Sequence, residues 1–102
     1  MRIHFEMSGG FAGISMATVI GSDSLTLDEK NILRSLIDNA KFFELPSETP
    51  SPNRGADYFS YNITVEGEDL KKSHTIKTND VTMPPELRPL INYLQSKIKR
   101  VS

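Results

Sequence analysis

Apolar and polar residues alternate along several segments of the chain, which is the pattern of half-buried β-strands. The alternation covers residues 3–7 and 14–20 and is clearest over residues 59–65, whose sequence is FSYNITV. A fourth strand is predicted at residues 71–78, KKSHTIKT. This segment is mostly polar, and its lysines are typical of a strand at the edge of a sheet.

Two other segments show the spacing of amphipathic helices. The first is predicted to begin at Thr26, which forms a capping-box pattern with Glu29. The second begins at Pro84-Pro85, where proline is tolerated because the N–H groups in the first turn of a helix have no acceptor within the helix. The apolar stripes are Ile32, Leu33, Leu36, Ile37 and Ala40 in the first helix and Leu87, Leu90, Ile91, Leu94 and Ile98 in the second.

The order of these elements, ββαββα, predicts an α+β domain with a four-stranded, mainly antiparallel sheet and both helices packed on one face. We expect the first helix to return the chain toward the turn at residues 8–13, which makes strand 3 parallel to strand 2. Strand 3 then pairs with strand 1, and the strand order is 2-1-3-4. In this arrangement the turn, the proline-rich segment 46–57 and residues 79–83 lie at the same end of the molecule.

The composition is that of one globular domain. The 102 residues include 37% hydrophobic and 25% charged residues, enough for a single core. The net charge of −1 gives no electrostatic attraction to nucleic acid or to an anionic membrane, and cysteine is absent. The N-terminus alternates and does not resemble a signal peptide. We therefore expect a cytoplasmic monomer, with export by a signal-independent route left open.

Catalytic and nucleic-acid-binding roles are not favoured. The histidines are His4 and His74, both predicted to face outward on separate strands, where a structural role is favoured over a metal pair. The glycine-rich turn lacks the spacing of a phosphate-binding loop and precedes a strand instead of a helix. Tyr58, Phe59 and Tyr61 could stack on bases, but the alternation assigns Phe59 and Tyr61 to the core. We expect no enzyme activity, no cofactor and no metal in the free protein.

Four segments of the chain resemble the emfourin family: RIHFEMSGGFAGI, FFELP, GADYFSYNITVE and PPELRPLINYL, in this order. The resemblance covers nearly the whole chain, and SGGFAG together with GAD is its most distinctive part. Emfourins are small bacterial protein inhibitors of protealysin-like, thermolysin-type zinc metallopeptidases. The resemblance implies a tight, reversible inhibitor of an enzyme carried by the same bacterium.

A thermolysin-type enzyme holds its zinc in a deep cleft beside an apolar pocket, so the resemblance gives the glycine-rich turn a role. Phe11 would fill the pocket, while Gly9, Gly10 and Ala12 would keep the neck of the turn narrow. The alternative is that Phe11 folds back and covers the end of the core. The residues alone leave both possibilities open.

A second requirement is an oxygen ligand that displaces the zinc-bound water. We rank Asp80 slightly ahead of Asp57, with Glu48 third; Asp57 could instead form a turn with the backbone, and Asp80 could help to cap the second helix. Val81 and Met83 would add a flexible apolar surface beside Asp80. The alternative function is a non-inhibitory protein-interaction module that uses the same loops.

Overall fold

A computed structural model describes residues 1–9, 14–49, 58–67 and 73–97. Its strands form one sheet of order β2-β1-β3-β4 in which all neighbours are antiparallel, so the predicted α+β topology is confirmed. The strands are β1 (Arg2–Gly9), β2 (Ile14–Gly21), β3 (Phe59–Glu66) and β4 (Ser73–Asn79). The helices are α1 (Leu27–Ala40) and α2 (Arg88–Lys97), with short 3₁₀ turns at Ser22–Ser24, Phe42–Glu44 and Pro85–Leu87.

The register of the strands places one apolar face toward the helices. Phe5 in β1 is paired with Thr18 in β2 and with Ile63 in β3, and Ile63 is paired with Ile76 in β4. Phe5, Ile63 and Ile76 are fully buried in the core. Because side chains alternate along a strand, the even-numbered residues of β1 lie on the opposite, open face.

The predicted capping box at the start of α1 is confirmed. The Thr26 hydroxyl accepts a hydrogen bond from the Glu29 N–H, and the Glu29 carboxylate accepts one from the Thr26 N–H, both at 3.1 Å. Four of the five predicted stripe residues pack on the core: Leu33, Ile37 and Ala40 are buried and Leu36 is half-buried. Ile32 is 49% exposed, and its assignment to the buried stripe is wrong because it lies at the margin of this arc.

The second helix follows the predicted pattern closely. The Pro85–Leu87 3₁₀ turn precedes α2, and the predicted stripe is confirmed by four fully buried residues. These are Leu87, Leu90, Ile91 and Leu94. Ile98, the last predicted member, lies outside the described residues. No helix among the described residues is long and apolar enough to span a membrane.

The route of α1 differs from the prediction. Its first turn lies beside β2, because Leu25 and Glu29 line a groove with residues 17–20. After α1, Phe43 lines a cavity with Met1 and Val65, at the end of the sheet where β1 begins and β3 ends. The helix therefore crosses the sheet at the end far from the hairpin turn. The prediction that it returns the chain toward that turn is wrong.

The segment after α1 brings the chain back along the edge of β4. Lys77 N–H donates to Ser47 O at 2.8 Å, and Thr49 N–H donates to Lys77 O at 3.0 Å. This bridge is parallel, so residues 47–49 run in the same direction as β4. The parallel orientation of β2 and β3 was predicted correctly. It arises because residues 47–49, and not α1, bring the chain back along the sheet.

Candidate functional site

The strand register brings four strand ends together at one end of the sheet. Gly9, the last residue of β1, is paired with Ile14 of β2 and with Phe59 of β3, while Asn79 ends β4 beside Ser60. We call this end the loop pole and define it by Gly9, Ile14, Phe59 and Asn79. Residues 10–13, 50–57 and 80–83 are joined to these strand ends, so the predicted grouping of the three connections agrees with the placement of their attachment points.

Part of the predicted site lies outside the described residues. Gly10, Phe11 and Ala12 of the turn and Asp57 of the proline-rich segment belong to this part. Their roles stay predictions, including the orientation of Phe11. The described members are Gly9, Asp80, Val81 and Met83, together with Glu48.

Gly9 is required by the close approach of β1 to β3. Its φ is +109°, a conformation that residues with a side chain rarely adopt. A Cβ atom at this position would lie 2.7 Å from the carbonyl oxygen of Tyr58. At this point β1 therefore approaches the residue before β3 so closely that no side chain fits between them.

Asp80 attaches the segment after β4 to β3. Its Oδ2 accepts a hydrogen bond from the Phe59 N–H at 3.0 Å, and its Oδ1 accepts one from the Tyr61 hydroxyl at 2.5 Å. Arg88 Nη1 lies 3.6 Å from the same Oδ1. Both carboxylate oxygens thus have partners within the chain, and Asp80 has a structural role that sequence reasoning missed.

Tyr61 completes this buried contact. Its ring is stacked on Phe5 with a centroid distance of 6.0 Å, and its hydroxyl also accepts a hydrogen bond from Gln95 Nε2 at 3.2 Å. Burial, together with the hydrogen bond to Asp80 and the charge of Asp80, raises the pKa of Tyr61 to about 12. The phenol therefore stays protonated and continues to donate to Asp80 at neutral pH.

Asn79 fixes the turn that follows β4. Its side chain is buried, and its Oδ1 accepts hydrogen bonds from the Val81 N–H at 2.9 Å and the Thr82 N–H at 2.8 Å. Val81 is consequently held on the surface with 61% of its area exposed. Met83 instead is half-buried and packs against the core, so it attaches the turn to the core.

Three hydroxyl groups tie the proline-rich segment to this turn. The Thr49 hydroxyl lies 2.8 Å from that of Thr78 and 2.9 Å from that of Thr82. Beside them is a cleft of about 230 Å³, which Glu48, Thr49 and Tyr58 line together with residues of β3 and β4. Sequence reasoning did not identify Thr49 and considered Tyr58 only for base stacking, because the cleft that they line depends on the path of residues 47–49 along β4.

The histidines do not form a site. His4 Nε2 lies 3.4 Å from the carboxylate of Glu66. His74 Nε2 is hydrogen-bonded to Leu45 O at 2.7 Å, and its ring meets Phe42 edge-on at 5.6 Å. The prediction that His74 faces outward is wrong, since β4 turns its even-numbered residues toward the core. Among the described residues, no group of three or more metal-ligating side chains is found.

Comparison with known proteins agrees with the resemblance seen in the sequence. A family model described as Emfourin matches residues 5–95, which include every described strand and helix at least in part. Neither a curated protein nor a solved structure matches the chain significantly. Since the family match spans most of the chain, this protein belongs to the emfourin family, and membership implies a protein inhibitor of thermolysin-like metallopeptidases.

Proposed function

We propose that this protein inhibits a thermolysin-type zinc metallopeptidase by inserting the loop pole into the active-site cleft. The observation that carries the proposal is the convergence of four strand ends at one end of the sheet. Connecting segments that are grouped at one end of a sheet can enter a concave site together, and such a site buries most of what it binds. The protein itself acts as a ligand and not as an enzyme, so inhibition is reversible and does not consume it.

Phe11 is the apolar anchor of this proposal. Gly10 and Ala12 on either side are small, so they leave the phenylalanine ring accessible to a pocket. Burying a phenylalanine side chain stabilises a complex by about 1.5–3 kcal/mol, which corresponds to roughly 10- to 150-fold in affinity. Val81 adds a second apolar contact on a turn that Asn79 already orders in the free protein.

The zinc-directed oxygen belongs to Asp57 in preference to Asp80. Both oxygens of Asp80 accept hydrogen bonds from β3, and binding zinc through Oδ1 would compete with the bond from Tyr61. Asp57 directly precedes Tyr58 at the loop pole and is the other carboxylate in the predicted pair. Asp80 then contributes by positioning the segment that carries Val81.

Inhibition assays with single substitutions test the proposal. Phe11→Ala, Asp57→Ala and Asp80→Ala are compared with the parent protein against a thermolysin-type peptidase, and thermal unfolding checks that each variant is folded. Phe43→Ala and Asp38→Ala are the matched controls, because both residues are exposed and line a cavity at the end of the sheet away from the loop pole. The proposal fails if the loop-pole variants inhibit like the controls.

Removal of zinc from the peptidase separates the two anchors. We expect Asp57→Ala to weaken binding to the zinc-loaded enzyme but not to the zinc-free enzyme. Phe11→Ala should weaken binding to both forms, because the apolar pocket persists without the metal. A parent protein that binds the peptidase without inhibiting it would instead support the non-inhibitory interaction module.

A further inference from the structure

The backbone groups along the outer edge of β2 have an orientation that follows from the hydrogen bonds of β3. Phe59 O and N–H are both directed at Asp80, on the β4 side. In antiparallel strands the N–H and C=O of one residue point to the same side and alternate between neighbours. Carried through the register, this alternation directs the backbone groups of Ser15, Ala17 and Val19 away from the sheet.

Nothing in the described part of the chain hydrogen-bonds these three residues at that edge. The strand, ISMATVIG, pairs with β1 from end to end without a bulge, and it contains no charged residue and no proline. Natural sheets protect their edges with such residues, with bulges or with a covering segment. The β4 edge has this protection, since Lys77 lies there and is bonded to Ser47 and Thr49.

A groove of about 560 Å³ runs along the helical side of this edge. Leu25, Glu29 and Lys97 form its far wall, and residues 17–20 of β2 form its near wall. Lys97 Nζ and Glu29 Oε2 are paired with each other at 2.5 Å. A strand added to β2 would direct every second side chain into this groove.

We propose that β2 pairs antiparallel with β2 of a second copy of this chain, around a two-fold axis at Ala17. In this register Ala17 exchanges both backbone hydrogen bonds with its symmetry mate, and Ser15 of each copy lies opposite Val19 of the other. A two-fold axis places the central residue opposite the same residue of the second chain, so a charged or bulky side chain at this position would repel its counterpart. Ala17 is small and uncharged, and Val19, 59% exposed on the open face, gains a neighbour.

A second copy in this position accounts for both the unpaired backbone groups of β2 and the groove beside them. It supplies backbone donors and acceptors in the required alternation, and its Met16 and Thr18 are directed toward the groove. The contact is small for a permanent dimer, so we expect association in the micromolar range or weaker. This expectation departs from the monomer predicted from the sequence, and it does not depend on the proposed function.

Sedimentation velocity on the full chain measures the association. We expect the weight-average mass to rise toward twice that of one chain between about 10 µM and about 1 mM. Ala17→Pro removes an N–H that β1 does not use and should abolish this rise, whereas the fold is retained because proline is tolerated on an edge. A constant mass of one chain over this range would overturn the proposal, as would a dimer that Ala17→Pro leaves intact.

Cysteine crosslinking tests the register and does not depend on the proline variant. The chain has no cysteine, so each introduced thiol reports on a single position. The Cα atoms of paired residues are about 5.5 Å apart, which a disulfide can span. Ala17→Cys should therefore crosslink under mild oxidation, and an equal mixture of Ser15→Cys and Val19→Cys should crosslink far faster than either variant alone. Asn62→Cys, exposed on the same face of central strand β3, is the matched control; equal crosslinking at position 62 would show random collision and refute the pairing.

Discussion

Substitution of Gly9 by alanine tests whether the close approach of β1 to Tyr58 requires a residue without a side chain. The added Cβ would lie 2.7 Å from Tyr58 O, whereas ordinary contacts begin at 3.4 Å. The strand must therefore shift by about 0.7 Å or lose its last pairing with β3. The positive φ of +109° adds strain, because alanine cannot adopt it without a steric penalty.

The expected loss of stability follows from these two effects. Backbone strain of this kind costs about 1–3 kcal/mol. Weakening the adjacent hydrogen-bonded pair of Ser8 and Ser60 costs about 1 kcal/mol more. The reduced entropy of the unfolded chain offsets about 0.4–1 kcal/mol. We expect a net decrease of about 1–3.5 kcal/mol in the free energy of unfolding, or roughly 5–25 °C in Tm.

Urea denaturation of Gly9→Ala and Gly21→Ala measures the difference. Gly21 is the matched control, since it also ends a strand, has no positive φ and would place a Cβ in open space. Its substitution should change stability by less than about 0.5 kcal/mol. Equal stability of the two variants would refute the reasoning. If Gly9→Ala remains folded at low temperature, its inhibition of a thermolysin-type peptidase should still be weaker than that of Gly21→Ala.

Three further substitutions test the contacts of the loop pole and of α1. Tyr61→Phe should lower the free energy of unfolding by about 1–3 kcal/mol, because Asp80 loses a buried donor. Folding raises the pKa of Tyr61 from 10.0 to about 12. The stabilisation that the protonated phenol provides is therefore complete below pH 10 and is lost as the pH rises through about 12. Urea titrations at alkaline pH should show this loss of stability in the parent protein but not in Tyr61→Phe. Asn79→Ala should cost about 1–3 kcal/mol and increase amide hydrogen exchange at Val81, while an unchanged exchange rate would contradict the proposed turn. Thr26→Ala should lower the free energy of unfolding, measured by thermal unfolding, by about 1 kcal/mol because the helix cap is lost, whereas Thr26→Ser should retain most of this stabilisation.

The sequence predicted the features that depend on local chemistry or on connectivity. The capping box at Thr26 and Glu29 involves residues three positions apart, so its signal is complete within one turn of helix. The strand order follows from few alternatives, because short connections and antiparallel pairing exclude most others. The alternation FSYNITV fixed which residues of β3 face the core.

The features that were missed depend on contacts between distant segments. In β4, Ile76 is the one apolar residue among Ser73–Asn79, so the polar pattern did not reveal that His74 and Thr78 share its face. The structural role of Asp80 requires the β3–β4 register, which brings Tyr61 and Phe59 to its carboxylate. Periodicity also does not determine the direction in which a helix crosses a sheet, and the route of α1 was therefore wrong.

The hydroxyl contacts of Thr49 have a consequence for altering specificity. One hydroxyl carries a single proton, so Thr49 can donate a hydrogen bond to at most one of Thr78 and Thr82 and accepts one from at least one of them. Two surface segments that are far apart in the chain therefore share one polar linkage. A library intended to retarget this protein should vary residues 47–49 and 78–82 together, because exchanging either segment alone would break the hydroxyl contacts that join them.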